Sequence, residues 1–289
     1  MSTLYVVATP IGNLSDISFR AIETLKSVAL IAAEDTRHTQ KLLNHYEIKT
    51  PLTSYHKFNE RSKGEKLIER MLNEEIDIAL VSDAGTPCIS DPGAIIVRLA
   101  IENGILVRAI PGASAVSSAL SISGFINTEY AFYGFMPRKK SACIEKLKSL
   151  SKNTHIAVIY ESPHRIFNLF SAIDEAFPEY DCAVFSDITK LHEKHFRGKP
   201  GDIIKLLSAN EYAEKGEYTV LINVESAEDT AEKPPLYKTE EAMLLDEMLS
   251  NDINIRAAMD NLIKKGHNKN SLYKASLRLK ELLKGSDEL

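Results

Sequence analysis

The chain has 289 residues, enough for two domains or for one large domain with an appendage. Its residues are 44% hydrophobic and 26% charged, and no apolar run is long enough to span a bilayer, so the composition predicts a soluble globular protein rather than a membrane protein. The net charge of −5 argues against a chain that coats nucleic acid through bulk charge, but it allows local basic patches.

The use of cysteine favours a reducing compartment. Cys88, Cys143 and Cys182 are odd in number and widely spaced, so we predict neither a disulfide framework nor a Cys-based zinc site, and we expect no bound metal. The first residues, MSTLYVVATP, lack the basic region and cleavage site of a signal peptide. We therefore expect a cytoplasmic protein.

Strand and helix patterns alternate from the N-terminus to about residue 122, which predicts the α/β class with a parallel sheet and helices on its faces. Four of the predicted strands end in polar loops rich in Gly, Pro, Asp or Ser. The loops are residues 9–13 (TPIGN), 34–37 (EDTR), 82–93 (SDAGTPCISDPG) and 111–115 (PGASA).

The loop at 82–93 follows the apolar run 76–81 and precedes a helical pattern, so it lies at the carboxyl end of a strand, where open α/β sheets bind ligands. We expect Gly85 to adopt a positive φ, and we expect Ser90 or Asp91 to cap the next helix. One such loop could be only a long turn. Because the four loops follow strands of one parallel sheet, we expect them to converge on one ligand site.

The second half begins with an aromatic strand pattern at 130–135 and contains further polar strand ends at 136–140 and 161–165. The common nucleotide-binding fingerprints and the Ser nucleophile elbow are missing from the sequence, which excludes a standard dinucleotide site and a P-loop NTPase. The polar sequence of residues 225–235 predicts a linker. After it, three helices are predicted at 238–249, 254–265 and 269–284.

The predicted helices at the C-terminus are basic. Between residues 254 and 284 there are eight Lys or Arg and two acidic residues. A short helix–turn–helix with such an excess could bind nucleic acid. It could equally be a solvated tail that packs on the body of the protein or on a dimer partner, and the sequence does not decide between the two.

A family resemblance follows from motifs that occur in one order along residues 3–224. They are TPIGN, EDTR, SDAGTPCISDPG and PGASA, then FYGFMPRK (132–139), ESPHR (161–165), TKLHE (189–193) and KGEYTVLI (215–222). With these motifs the chain resembles the small-subunit ribosomal RNA cytidine 2′-O-methyltransferases of the tetrapyrrole-methylase superfamily.

The resemblance implies an α/β, tetrapyrrole-methylase-like two-domain fold, the class III fold of S-adenosylmethionine methyltransferases, with a C-terminal helical appendage. We place the N-terminal domain with the main cofactor loops at 1–115, the domain that closes the cleft at 116–225, and a helix–turn–helix-like tail at 236–289. The implied assembly is a homodimer that acts on 16S rRNA or the small ribosomal subunit, without a membrane.

The resemblance also implies which residues hold S-adenosylmethionine in the cleft between the two domains. One departure from the family pattern is Cys88, where a Gly is common. The implied cofactor residues are Pro10, Gly12, Asp83, Ala84, Gly85, Thr86, Ser114, Ala115, Tyr133, Glu161, Ser162, Tyr218, Thr219 and Val220.

The implied reaction is attack of a ribose 2′-oxygen on a sulfonium methyl group, for which a nearby base would remove the hydroxyl proton. The candidates for this base are Lys190, Glu161 and Asp35, with Glu193 as the alternative to Lys190 in TKLHE. A Lys can serve only if its pKa is lowered. Each candidate could instead form a cap or an ion pair, and the sequence does not choose among them.

Basic side chains at the strand ends are candidates for contacts with RNA phosphates. They are Arg37, His38, Arg138, Lys139, Lys140, His164, Arg165, Lys194 and Arg197. The function so implied is methylation of a cytidine in the decoding region of 16S rRNA. The alternatives are a tetrapyrrole or other small-molecule methyltransferase with the same fold, and a non-catalytic RNA-binding module.

Overall fold

A computed structural model of the chain describes residues 2–126, 129–150, 155–224 and 239–284, and it forms two compact units, residues 1–227 and residues 228–289. The predicted linker at 225–235 lies outside the described residues. The first unit contains two sheets with helices on their faces, which confirms the predicted α/β class. Among the described helices, none combines the length and the apolar character that a membrane crossing requires.

The first sheet is the parallel sheet that the sequence predicts. All its strand pairs run parallel, in the order β3-β2-β4-β1-β5. Every residue of β2 and β4 is buried, as expected for apolar strands with both faces covered. The strands are β1 (Thr3–Val7), β2 (Leu30–Ala33), β3 (Leu52–Ser54), β4 (Ile78–Val81) and β5 (Leu106–Ile110).

Four helices connect these strands, and two hydrophobic clusters fill the space between the helices and the two faces of the sheet. One cluster contains Leu67 and Ile96, and the other contains Leu25 and Leu43. The helices are α1 (Phe19–Ser27), α2 (Thr36–His45), α3 (Glu60–Glu74) and α4 (Ala94–Glu102).

The capping prediction for α4 is wrong. Gly93, with φ +140°, occupies the N-cap position, and neither Ser90 nor Asp91 caps the helix. The backbone N–H of Gly93 instead donates to Glu60 Oε1 at 2.8 Å, so a side chain from α3 accepts the hydrogen bond of a backbone donor at the start of α4. Ser90 and Asp91 are thereby left on the ligand side of the loop, where they line a cavity.

The second sheet is mixed, with the order β6-β7-β10-β8-β9; β6 and β7 are parallel and the other pairs are antiparallel. Its strands are β6 (Tyr130–Phe135), β7 (Ile156–Glu161), β8 (Asp181–Ser186), β9 (Lys194–Gly198) and β10 (Tyr218–Asn223).

Helices cover both faces of the second sheet. One face packs against α5, through Val116 and Ala119. The other face packs against three helices around Leu147, Phe170 and Leu207. The helices are α5 (Ala115–Ile122), α6 (Lys140–Leu150), α7 (Ile166–Ala176) and α8 (Pro200–Ser208).

The loops after β1 and β4 meet at the edge formed by the carboxyl ends of the first sheet. Thr9 N donates to Gly85 O at 2.9 Å, and Gly85 N donates to Thr9 O at 3.0 Å. Gly85 has φ +76°, the left-handed value that the sequence predicts. The expected convergence of these two loops is therefore confirmed.

The second compact unit contains α9 (Glu240–Asn251), α10 (Ile255–Lys264) and α11 (Lys269–Lys284), which confirms three helices close to the predicted positions. These helices enclose a small core that includes Leu244, Ala258 and Leu272. The carboxylate of Glu247 accepts a hydrogen bond from Asn261 and pairs with Lys265, so polar contacts also hold α9 to the end of α10.

Candidate active site

A cavity of about 470 Å³, here called the main cavity, is lined by loops of both sheets in the first unit. Its size is in the range of small-molecule sites. The small side chains from the first sheet's loops leave their backbone accessible to a ligand. The predicted cofactor residues that line it are Ala84, Gly85, Thr86, Ser114, Ala115, Glu161, Ser162, Tyr218 and Thr219.

The main cavity has an acidic lining. Asp91, Glu161, Asp187 and Glu217 line it, and the described lining contains no Lys or Arg. Behind the lining, Arg165 pairs with Glu161, and Lys190 pairs with Asp187 and Glu217. Burial, together with repulsion from Glu34 and other carboxylates, raises the pKa of Asp91 to about 7. A cation entering this space would relieve the repulsion, so the cavity is suited to a positively charged ligand.

Glu161 stands at the end of β7 with its side chain almost fully buried. One carboxylate oxygen accepts a hydrogen bond from Ser162 N at 2.8 Å, and the other lies 3.1 Å from a terminal nitrogen of Arg165. Burial raises the pKa of Glu161, and these favourable contacts only partly offset the effect.

A second cavity, of about 380 Å³, adjoins the main cavity. The two share Ile11, Ala84 and Glu217 in their walls. Three residues that the sequence assigns to the cofactor line this second cavity and not the main one. They are Pro10, Gly12 and Asp83.

Lys190 reaches from the second sheet's side of the cleft to the loop after β1. A Cβ on Gly12 would overlap Lys190 Cγ, so only a glycine allows this close approach. Lys190 Nζ lies 2.8 Å from Asp187 Oδ1 and 3.1 Å from Glu217 Oε2. Burial by itself lowers the pKa of Lys190, but the hydrogen bonds to the two carboxylates outweigh it and the pKa is raised. A Lys190 that removes the hydroxyl proton would need a lowered pKa, so this shift is in the opposite direction.

Asp35 lies outside both cavities. Its carboxylate caps α2 by accepting from Arg37 N at 2.9 Å, and it pairs with the Arg37 guanidinium at 3.1 Å. The hydrogen bond from the Arg37 side chain lowers the pKa of Asp35, which makes it a weaker base.

Two further residues on the predicted cofactor list contribute to the core of the second sheet. Tyr133 packs against that core, and Val220 is fully buried within it. Val220 shares its face of β10 with Tyr218, which begins the strand and reaches the main cavity, but Val220 lies two residues further into the core.

The predicted RNA-contact residues fall into three groups. Arg37 and His38 are exposed near the start of α2, and His38 lines the second cavity. Arg138, Lys140 and Arg165 surround a smaller cavity of about 190 Å³, with Lys139 and His164 exposed nearby in the chain.

The third group, Lys194 and Arg197, lies on the edge strand β9 and is engaged with other protein groups. Lys194 Nζ contacts Asn210 Oδ1 at 2.5 Å. The Arg197 guanidinium donates to the carbonyl oxygens of Ile122 and Ser123 at the end of α5. These two side chains therefore hold local structure together.

Sequence reasoning missed several residues of the main cavity. Ser90 and Asp91 belong to the loop that the sequence singled out, but they were considered only as caps. Tyr160, directly before ESPHR, was given no role. Six others lie within the recognised motifs but were assigned no role, and they are Ile11, Ile89, Phe135, Pro163, Gly216 and Glu217. Asp187 and Ile188 lie outside the motifs and carry no motif signal.

Cys88 adopts a left-handed backbone conformation, which is usually found at glycine. Its φ is +71°, and the nearby Ser90 has the same value. The loop therefore adopts the left-handed region at two non-glycine positions, a conformation that costs free energy and depends on surrounding contacts. Burial raises the pKa of the Cys88 thiol to about 11, so the thiol is not an activated nucleophile.

Comparison with solved structures identifies the class of fold. A diphthine synthase matches with a TM-score of 0.58 and 12% identity, over 77% of this chain and 90% of that chain. A uroporphyrin-III-C-methyltransferase from Thermus thermophilus matches with a TM-score of 0.54 and 15% identity, over 77% of this chain and 94% of its own. At these identities the likeness establishes the two-lobed methyltransferase fold alone.

Sequence comparison identifies the family. A model of the tetrapyrrole (corrin/porphyrin) methylases matches residues 3–204. A Bacillus subtilis protein named ribosomal RNA small subunit methyltransferase I is 44% identical over 83% of this chain and 81% of the relative. A Pasteurella multocida protein of the same name is 38% identical over 95% and 96%. The chain belongs to the tetrapyrrole methylase family, whose methyl donor is S-adenosylmethionine.

The main cavity fits that cofactor. S-adenosylmethionine carries a sulfonium and an ammonium, and four carboxylates line the cavity. Arg165 pairs with Glu161, and Lys190 pairs with Asp187 and Glu217, which leaves Asp91 as the carboxylate of this lining with no ion pair among the described residues. The loops containing Gly85 and Ala115 present backbone groups to the cavity, and a Cβ on Gly85 would approach Ile11 at 3.3 Å.

Proposed function

We propose that this chain methylates the ribose 2′-oxygen of a cytidine in small-subunit ribosomal RNA. The relatives that support this are named for the small-subunit rRNA, and they align with most of the chain. The observation that carries the proposal is the acidic main cavity, which is suited to the cationic methyl donor, with a second cavity opening beside it.

When bound, S-adenosylmethionine supplies an electrophilic methyl group, which passes to the oxygen as the carbon–sulfur bond breaks and its electron pair stays on sulfur. The chain's own contribution is first to position the groups. We assign cofactor binding to the residues around the main cavity, chiefly the loops at 84–86 and 114–115. Glu161 and Ser162 complete the site from the opposite lobe.

The hydroxyl proton must leave as the new bond forms, so a proton acceptor near the cavity should assist. Of the three candidates, Glu161 is a carboxylate in the wall of the main cavity, whereas Asp35 lines neither cavity. Lys190 is held protonated by Asp187 and Glu217. We therefore keep Glu161 as the proposed base and assign Lys190 to positioning.

RNA binding is proposed for the basic groups near the cavities. Arg37 and His38 lie by the second cavity, and Arg138, Lys139, Lys140, His164 and Arg165 form a further basic region in the second lobe. For the basic helical unit at the C-terminus, RNA binding and packing against a partner remain two proposals.

We also propose that the protein acts as a homodimer in the cytoplasm, where ribosomal subunits are assembled. Large apolar side chains that are exposed in the single chain, including Phe19 at 88% and Phe58 at 95%, support a self-contact. The three cysteines are unpaired, as in proteins of a reducing compartment.

The proposed function is tested by transfer of a tritiated methyl group from S-adenosylmethionine. The substrates to compare are small-subunit rRNA, the assembled small subunit and a porphyrin precursor. We expect label on one of the RNA substrates and none on the porphyrin. Label on the porphyrin alone would assign the chain to small-molecule methylation, and cofactor binding without transfer to any substrate would favour a binding module.

A further inference from the structure

The second cavity is not accounted for by the cofactor. It lies beside the main cavity, and the common wall contains Glu217, the only titratable residue among those described that faces both spaces. Its volume, about 380 Å³, is suited to a small organic ligand. A group held in the second cavity next to this wall would be adjacent to a ligand in the main cavity.

A buried hydroxyl in its wall lacks a partner. Thr39, on α2, lines the second cavity and is 2% exposed, and its Oγ1 makes no hydrogen bond with any described residue. Leaving a buried polar atom unpaired destabilises a protein, so such atoms are rare and call for a reason. A ligand that hydrogen-bonds to this hydroxyl would supply one.

The charge of the second cavity differs from that of the main cavity. His38 and Lys41 line it, are exposed, and form no ion pair among the described residues. Lys190 adds a third basic group, although it is paired. Basic side chains at a cavity rim are suited to a phosphate.

The walls also offer surfaces for a base. Leu14 and Leu42 contribute apolar area, and Asp83 lies at the tip of β4. Asp83 Oδ1 accepts from Asp35 N at 3.0 Å, which leaves its second oxygen without a hydrogen bond among the described residues. A carboxylate oxygen is an acceptor suited to the exocyclic amine of cytosine.

We propose that the second cavity binds the target nucleotide of the RNA, with a phosphate at His38 and Lys41 and the ribose next to the wall shared with the main cavity. The proposal rests on the proposed function, and it adds to it the place where the substrate nucleotide lies. In this arrangement the Thr39 hydroxyl hydrogen-bonds to the nucleotide, and Asp83 accepts from the cytosine amine.

The test compares Lys41→Ala and Thr39→Val with Lys49→Ala, a change of an exposed lysine that lines neither cavity. Each variant is assayed for methyl transfer to small-subunit rRNA at several salt concentrations and for S-adenosylmethionine affinity by calorimetry. Lys41→Ala should raise the KM for RNA about fivefold and reduce the slope of log KM against log salt by about 0.7.

Thr39→Val should raise the KM for RNA about threefold while the melting temperature is unchanged or higher, because an unpaired buried hydroxyl is removed. Both variants should keep the cofactor affinity of the wild-type protein, and Lys49→Ala should match wild type throughout. RNA kinetics unchanged in both variants, or a loss of cofactor affinity in them, would overturn the proposal.

A binding experiment separates this proposal from the proposed function. Cytidine 5′-monophosphate is titrated into the wild-type chain and into Thr39→Val, with no methyl donor present. If the nucleotide binds to wild type and binds more weakly to Thr39→Val, the result supports the second cavity as the nucleotide site, even if rRNA is not methylated. Binding that is absent, or equal in both proteins, would overturn the nucleotide site even if rRNA methylation is observed.

Discussion

At the scale of single residues, Asp91 links the electrostatics of the main cavity to pH. Burial raises the pKa of Asp91 to about 7, and a cationic ligand favours its ionised form, so cofactor binding should release a proton below that pH. The affinity for S-adenosylmethionine should therefore rise with pH up to about 7 and then level off. Calorimetry across this range checks the slope.

Asp91→Asn should remove the pH dependence and weaken cofactor binding above neutral pH by about tenfold, since one carboxylate is lost from the cavity. In the protein without ligand, the free energy of unfolding changes with pH in the opposite direction to the cofactor affinity. A carboxylate whose pKa is raised on folding stabilises the fold at low pH, and this contribution is lost as pH rises through about 7. An unchanged pH slope in the variant would show that another group titrates.

Lys190 provides a second prediction at this scale. Because the hydrogen bonds to Asp187 and Glu217 keep Lys190 protonated, an Arg side chain, which is always charged, should largely replace it. In single-turnover methyl transfer, Lys190→Arg should stay within about threefold of wild type, whereas Lys190→Met should lose about tenfold or more. Equal and severe losses in both variants, with cofactor affinity intact, would restore Lys190 as the base.

At the scale of elements, the loop at 82–93 depends on the left-handed backbone of Gly85. Gly85→Ala places a Cβ at φ +76° and 3.3 Å from Ile11, which should destabilise the fold by about 1 kcal/mol and weaken cofactor binding. Gly104→Ala is the matched control, since Gly104 has φ +69° but open space around it. Its melting temperature should fall similarly with unchanged cofactor affinity. Equal cofactor binding in both variants would contradict the assigned role of the loop.

The same loops indicate how much the sequence could predict. Alternating strand and helix patterns gave the parallel sheet, and parallel strands necessarily place their carboxyl ends at one edge, so the convergence of the loops followed. The division into two cavities did not follow. Pro10, Gly12 and Asp83 belong to the predicted loops, yet the turn of each loop directs them to the second cavity.

Charge interactions between distant residues were equally inaccessible to sequence reasoning. The pKa of Lys190 depends on Glu217, and the pKa of Asp91 depends on Glu34, and each of these partners lies far away in sequence. Motif matching identified TKLHE and SDAGTPCISDPG, and also EDTR with Glu34 and KGEYTVLI with Glu217, but it could not show that these motifs meet in space. The capping of α4 by Gly93 likewise required Glu60 from another helix.

At the scale of the whole molecule, an acidic chain with local basic regions should bind RNA in a strongly salt-dependent way. We expect the apparent affinity for small-subunit rRNA to fall about tenfold or more between roughly 50 and 200 mM salt, because several phosphates are contacted. Filter binding across this range measures the slope. A flat response would contradict the basic regions as the RNA contacts.

The central claim concerns the atom that receives the methyl group. Small-subunit rRNA is incubated with the protein and labelled S-adenosylmethionine, hydrolysed with alkali and resolved by mass spectrometry, since a 2′-O-methyl group blocks alkaline cleavage at its own nucleotide. We predict a labelled, alkali-resistant dinucleotide that begins with 2′-O-methylcytidine. Label recovered on a base in an ordinary mononucleotide would contradict the account.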